Sequence, residues 1–343
     1  MLKPVSTYRR SVSAVAIALA LALFAYTLAI HSGHIGLQPG AQLSSSEVVY
    51  TGSKDSFPRQ IIDPLGRSMT LEKPPSAILS ATLVADDMLS RLVDLSRIRS
   101  VTYLVDDSGI SNAYGQYPES IQRNYGAVEE IIAAEPDLLI FAPYSDASHV
   151  EMLLNIGIPV LRFSDFDSHQ DIRNNLLTLA AALGVEAEAK AWIAEMDARI
   201  ATVQETVKGQ NRPRVLYYSL SGYSFGPGSL MDETIQYAGG RNVIAELGLQ
   251  GYTRISAETV IALQPDVILL SGWNMGDGTS AKDILMADDT WKDVPAVADQ
   301  RVYSLRGAWL TSSTPYRVKG IEEVARLLHP GAFALVKAED KTS

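Results

Sequence analysis

Short aliphatic runs alternate with amphipathic stretches from Ala77 almost to the end of the chain, the grammar of parallel βα units. In the first half the pattern predicts strands at Ala77–Ser80, Arg99–Tyr103, Asp137–Phe141 and Pro159–Phe163, with helices over Val84–Asp94, Val128–Ala134, Ala147–Ile156 and Gln170–Leu183. The second half repeats it, with strands at Val215–Ser219, Asp266–Ser271 and Arg301–Ser304 and helices over Met231–Ala238, Ala257–Leu263, Ala281–Met286 and Tyr316–Leu328. Between the halves runs Glu186 to Lys208, where Trp192, Met196, Ile200, Val203 and Val207 recur at helical spacing and form one apolar stripe. Such a helix reaches roughly 34 Å, enough to bridge two lobes.

The chain also repeats itself on either side of that helix. Glu129-Glu-Ile-Ile-Ala-Ala-Glu-Pro-Asp-Leu-Leu-Ile140 is echoed by Glu258-Thr-Val-Ile-Ala-Leu-Gln-Pro-Asp-Val-Ile-Leu269. In both, Pro-Asp reads as a turn from helix into strand, and the leading glutamate opens its helix at the same offset, which places two matched carboxylates on one outer surface. Further upstream, Asp63-Pro-Leu-Gly-Arg67 is a turn between Arg59-Gln-Ile-Ile and Ser68-Met-Thr-Leu, so a β-hairpin opens the ordered chain.

Composition changes the picture at the ends. Lys3, Arg9 and Arg10 precede an uncharged run from Ser11 to Ile30, read as an export signal that is either cleaved or kept as an N-terminal membrane anchor. The expected division is residues 1–30 signal peptide or anchor, 31–56 flexible linker, 57–167 first α/β lobe, 168–209 connecting helices, 210–330 second α/β lobe and 331–343 disordered tail. The sequence has no cysteine, which excludes disulfides, thiol catalysis and a lipidated cysteine. Loss of residues 1–30, with three bases and no acid, moves the formal net charge from −10 to −13. Nucleic acid is a poor partner for that surface, and a basic docking face on another protein is a natural one.

Most remaining aromatics fall at or after strand ends: Tyr103, Tyr114, Tyr117, Tyr125 and Tyr144 in the first half, and Tyr218, Tyr223, Phe225, Tyr252, Trp273 and Trp309 in the second. Ligands of open parallel sheets bind beyond the carboxyl ends of the strands, so two such faces predict a cleft lined by phenols and indoles.

The Asp63–Arg67 hairpin, Lys73-Pro-Pro-Ser76, the two Glu-x6-Pro-Asp units, Asn155-Ile-Gly-Ile-Pro-Val160, Asp232-Glu-Thr-Ile-Gln-Tyr-Ala-Gly-Gly-Arg-Asn242 and Trp291-Lys-Asp-Val-Pro-Ala296 occur in this order. Together, from about Arg59 to His329, they resemble the class III periplasmic substrate-binding proteins of ABC importers for iron–siderophore complexes, haem and cobalamin. The resemblance implies two Rossmann-like α/β lobes joined by a single long interdomain helix, with a metal chelate clamped between them and no intrinsic cofactor. It implies a monomer in the periplasm that meets an ABC permease dimer of the inner membrane, with Glu129 and Glu258 docking onto permease arginines. Cobalamin-binding relatives keep an indole six places before each docking glutamate and an acid and an arginine after the last strand. This chain has Arg123 and Tyr252 at the first pair of places and Gly307-Ala-Trp-Leu-Thr-Ser312 after the last strand. Arg123 and Arg306 suit an anionic ferric chelate, so an iron–siderophore is the leading expected ligand and cobalamin or haem the alternative.

A rival of another class is Gly222-Tyr-Ser-Phe-Gly226, which matches the nucleophile elbow of serine hydrolases with Ser224 as nucleophile. Pro227 and Gly228 interrupt where the elbow's helix begins, which speaks against it. The five histidines are scattered, and no protein-held metal is expected.

Overall fold

Two all-parallel sheets carry the chain, and an aspartate pins the first strand of each. The computed structural model describes residues 50–51, 57–63, 66–271 and 280–339. In the first lobe five strands lie in the order Gln122–Asn124, Ile98–Thr102, Ile78–Ser80, Leu138–Phe141, Val160–Arg162. In the second, four lie in the order Arg241–Asn242, Arg214–Tyr217, Val267–Ser271, Val302–Leu305. Each order reverses beside its first strand, the doubly wound arrangement that opens a crevice beyond the carboxyl ends. Leu138–Phe141 is buried throughout and Val267–Leu270 likewise, which is why both read as unbroken aliphatic runs rather than alternating ones.

The repeated Pro-Asp has one role in both lobes. The Asp137 carboxylate accepts the backbone N–H groups of Ser76 and Ala77, each at 2.8 Å, and the Asp266 carboxylate accepts that of Arg214 at 2.8 Å. Glu135 and Gln264, just before the prolines, are left-handed with φ of 48° and 47°. One residue in that conformation stops the helix and turns the chain toward the strand.

The long helix runs from Glu186 to Thr206, 21 residues or about 31 Å. All five stripe residues are buried, and the stripe changes cores part-way along. Ala189, Trp192 and Ile193 pack in the core of the first lobe, whereas Met196, Ile200, Val203 and Val207 pack in that of the second. This strut is joined by a second tie between the lobes. The N–H of Ala308 donates to the Gly109 carbonyl at 2.8 Å, Asn112 donates to the Ala308 carbonyl at 2.6 Å, and Asp87 holds the reaching loop through the N–H groups of Asn112 and Ala113. Gly307 lets the segments approach, since a Cβ there would lie 3.1 Å from the Gly109 oxygen.

The opening hairpin pairs Arg59–Ile62 with Ser68–Leu71, and Gly66 has the φ of 78° that the turn requires. Tyr50–Thr51, inside the expected linker, adds a third strand to it. The chain does not fray at Gly331: Pro330–Glu339 is a helix, and Phe333 packs on the second core. Four further strands also escaped the hydrophobic pattern, at Gln122–Asn124, Tyr223–Phe225, Arg241–Asn242 and Tyr252–Arg254. Two or three residues are too few to show a period. The expected export segment at 1–30, most of the linker, Trp273 and residues 340–343 lie outside the described residues.

Candidate functional site

Both sheets present their carboxyl ends to one recess. Phe166 and Asp167 follow the strand Val160–Arg162 of the first lobe, and Leu310, Thr311 and Ser313 follow Val302–Leu305 of the second. Phe225 and Tyr252, from the antiparallel pair Tyr223–Phe225 and Tyr252–Arg254, complete its apolar wall. The cavity measures about 170 Å³. Asp167, the one titratable acid among its described lining residues, has its pKa raised by burial and by the neighbouring Asp165 and Asp171.

Four of the expected tyrosines form two stacked pairs, one on each lobe. Tyr103 and Tyr125, which follow adjacent strands of the first lobe, lie with ring centroids 4.7 Å apart and planes 18° from parallel. In the second lobe Tyr223 and Tyr252 lie 4.7 Å apart at 6°. Tyr125 and Tyr252 are the outer members, 71% and 63% exposed, so each offers one open aromatic face over a partner that fixes its orientation. Tyr144, after Leu138–Phe141, is exposed without a ring partner among the described residues.

The arginines expected to meet an anionic chelate are engaged elsewhere. Arg123 makes a two-pronged pair with Asp106, at 2.8 and 2.9 Å, and donates to the carbonyls of Tyr117 and Ile121. Arg306 donates across the lobes to the carbonyls of Ser108 and Ser111, at 2.9 and 3.2 Å, and its guanidinium covers Trp309. Trp309 is thereby half-buried between Arg306 and Lys319. Tyr218 is not at the surface either: it is 6% exposed and packs on Trp291 in the second lobe. Strand geometry explains this, because Tyr217 and Tyr218 point to opposite faces of their sheet and both faces are covered. Trp273 lies outside the described residues.

The pattern missed Phe166 and Asp167. Their signal was position, directly beyond a strand end, obscured by the polar Ser164–Ser168 segment around them.

Glu129 and Glu258 stand in the first turns of the helices Val128–Ala133 and Ala257–Leu263, both exposed and neither paired with a cation among the described residues. A hydrogen bond from Ser256 holds the Glu258 carboxyl below its ordinary pKa. The hydrolase reading fails on geometry. Ser224 is fully buried in an antiparallel strand rather than at a strand-to-helix turn, and its hydroxyl donates to the Tyr217 carbonyl at 2.6 Å. Among the described residues no cluster of three or more His, Asp or Glu side chains is placed to hold a metal.

Two doubly wound lobes on one strut, with a recess between their carboxyl ends, set the architecture, and residues 99–308 match the periplasmic binding protein family. The chain belongs to that family. Periplasmic binding proteins are extracytoplasmic and serve ABC transporters, and this one resembles a substrate-binding lipoprotein of an ABC transporter from Bacillus subtilis, 24% identical over 292 residues, which cover 81% of this chain and 87% of that one. A cobalamin-binding protein of Halobacterium salinarum is 25% identical over 318 residues, covering 91% and 84%. The periplasmic haem-binding protein of Roseiflexus sp. RS-1, in its apo form, superposes with a TM-score of 0.64 at 22% identity over 75% of this chain and 99% of that one, a likeness of fold. Among the described residues no helix is long and apolar enough to cross a membrane.

Proposed function

We propose that this periplasmic binding protein captures a bulky metal chelate of the cobalamin type and delivers it to an ABC permease. The observation that carries the reading is the stacked tyrosine pair on each lobe, Tyr103–Tyr125 and Tyr223–Tyr252, together with a recess that Tyr252 lines and that holds an acid and no base among its described lining residues. Exposed, orientation-locked rings suit the broad faces of a macrocycle. The recess is smaller than the roughly 300 Å³ of an ordinary small-ligand pocket, so it receives part of such a ligand while the remainder lies against the tyrosines.

Charge separates the candidates. The expectation of an anionic iron–siderophore rested on Arg123 and Arg306, and both guanidiniums are occupied by protein oxygens. An anionic catecholate, or the propionates of haem, would meet Asp167 instead. Uncharged cobalamin escapes that repulsion, and the Halobacterium relative supports the choice. A ferric trihydroxamate with net positive charge satisfies the same electrostatics and is the second reading.

Glu129 and Glu258 dock the loaded clamp on permease arginines, one acid per lobe. The protein works as a monomer in the periplasm, with residues 1–30 acting as a cleaved signal or a retained anchor. It performs no reaction on its cargo. The test is tryptophan fluorescence titration with cyanocobalamin, a cationic ferric trihydroxamate, an anionic ferric tricatecholate and haemin. Saturable binding of cyanocobalamin with no response to the tricatecholate is expected; tight binding of the tricatecholate alone would overturn the proposal.

A further inference from the structure

A second recess, also about 170 Å³, lies where three elements meet: the helix Leu83–Leu92 of the first lobe, the middle of the strut, and the segment Pro315–Lys319 of the second lobe. It shares no lining residue with the cleft. The whole chain carries 39 acids against 29 bases, yet the charged groups lining this recess are Arg91, Arg199 and Lys319 against Glu195 alone. That inversion is local and needs an explanation.

The counter-charges present do not neutralise it. Glu195 is 2.5 Å from one nitrogen of Arg91 and only 3.7 Å from Arg199, beyond a good hydrogen bond. Arg199 directs its Nε and Nη2 at Glu322, which Arg326 also approaches at 3.5 Å. Lys319 has no carboxylate within ion-pair distance among the described residues. Its ammonium lies over the rings of Tyr316 and Trp309, at 4.9 and 6.0 Å, and Trp192 closes the floor. Burial lowers the Lys319 pKa, and the cations of Arg199, Arg306 and Arg91 lower it further against an opposing pull from Asp87, so the ammonium is in a net positive field. Donors converge here from three elements, with Glu195 the one carboxylate in the described lining and no acceptor facing Lys319. A planar carboxylate answers two such directions, whereas a tetrahedral oxyanion answers all three.

We propose that this recess binds a small multivalent oxyanion of the phosphate or sulfate class through Lys319, Arg91 and Arg199, and that the bound ion ties the two lobes together across the strut. The inference is independent of which chelate fills the cleft. A bound ion would couple the strut to both lobes at its mid-point, the place where its apolar stripe passes from one core to the other.

Calorimetry and thermal unfolding of the full chain in sodium phosphate, against sodium chloride at matched ionic strength, test it. Saturable uptake of one ion and a melting temperature that climbs with phosphate but not with chloride are expected, as for any ligand that prefers the folded state. Lys319→Met should weaken binding by about tenfold or more, the worth of one charge-assisted hydrogen bond, while Lys319→Arg retains it. Arg91→Gln, on a side chain 40% exposed, gives a second loss-of-binding variant whose folding is not at issue. No saturable heat in phosphate, or wild-type affinity in both Lys319→Met and Arg91→Gln, would overturn the proposal.

Discussion

Tyr252 lies face to face on Tyr223, ring centroids 4.7 Å apart and planes 6° from parallel, and at 63% exposure it lines the recess. Removing the outer ring deletes the surface offered to ligand, whereas removing only its hydroxyl does not. Tyr252→Ala should therefore raise the ligand Kd about fivefold, roughly 1 kcal/mol, and Tyr252→Phe should leave it nearly unchanged. Tyr125→Ala in the other lobe should behave like Tyr252→Ala. Equal affinities for Tyr252→Ala and wild type in a fluorescence titration would remove the tyrosine from the site.

Docking and capture separate cleanly if the two exposed glutamates face the permease. The double variant Glu129→Lys, Glu258→Lys should abolish uptake in cells while the purified protein binds its chelate as before. Loss of chelate binding in that protein would assign the acids to the cleft instead.

The first lobe contains a fully buried carboxyl. Asp86 accepts the Thr102 hydroxyl at 2.5 Å and the Thr102 N–H at 3.2 Å, yet burial outweighs these bonds and pushes its pKa up to about 8. Below the ordinary aspartate range both folded and unfolded chains hold the proton. Between roughly pH 4 and about 8 only the folded chain does, so Asp86 lowers stability progressively as pH rises through that window. Asp86→Asn should flatten this contribution and make the variant relatively more stable at pH 8 than at pH 4, read from denaturant midpoints. An unchanged pH slope would show that Asp86 is not the group responsible.

Gln264 holds a φ of 47° immediately before Pro265, a conformation hostile to a branched Cβ. Gln264→Val should destabilise the protein by about 1–2 kcal/mol, and Gln264→Gly should be neutral or mildly stabilising. Chemical denaturation distinguishes the two directly. A Val variant as stable as the Gly variant would mean that the helix ends differently in solution.

What could be read from the sequence was what repeats. The strut announced itself through Trp192, Met196 and Ile200, and the duplication through Glu129 and Glu258, because helical period and offset are local properties. The fates of Arg123 and Arg306 were not legible. Their partners, the Asp106 carboxylate and the carbonyls of Ser108 and Ser111, lie 17 to about 200 residues away, and spacing says nothing about them. Tyr218 looked like a rim residue for the same reason as Tyr103, since a strand end in sequence does not reveal which layer covers the following side chain. Asp137 and Asp266 read as turns, but their grip on the first strand of each sheet is a long-range contact that only the fold creates.

The strut's change of allegiance between Ile193 and Met196 also marks a seam. A crossover there would let each parent in a chimera bring its own half of the stripe and keep its own core sealed. A junction a turn or two to either side would seat foreign side chains against a core shaped for others, and exchange of ligand preference between relatives would then fail for want of a folded molecule.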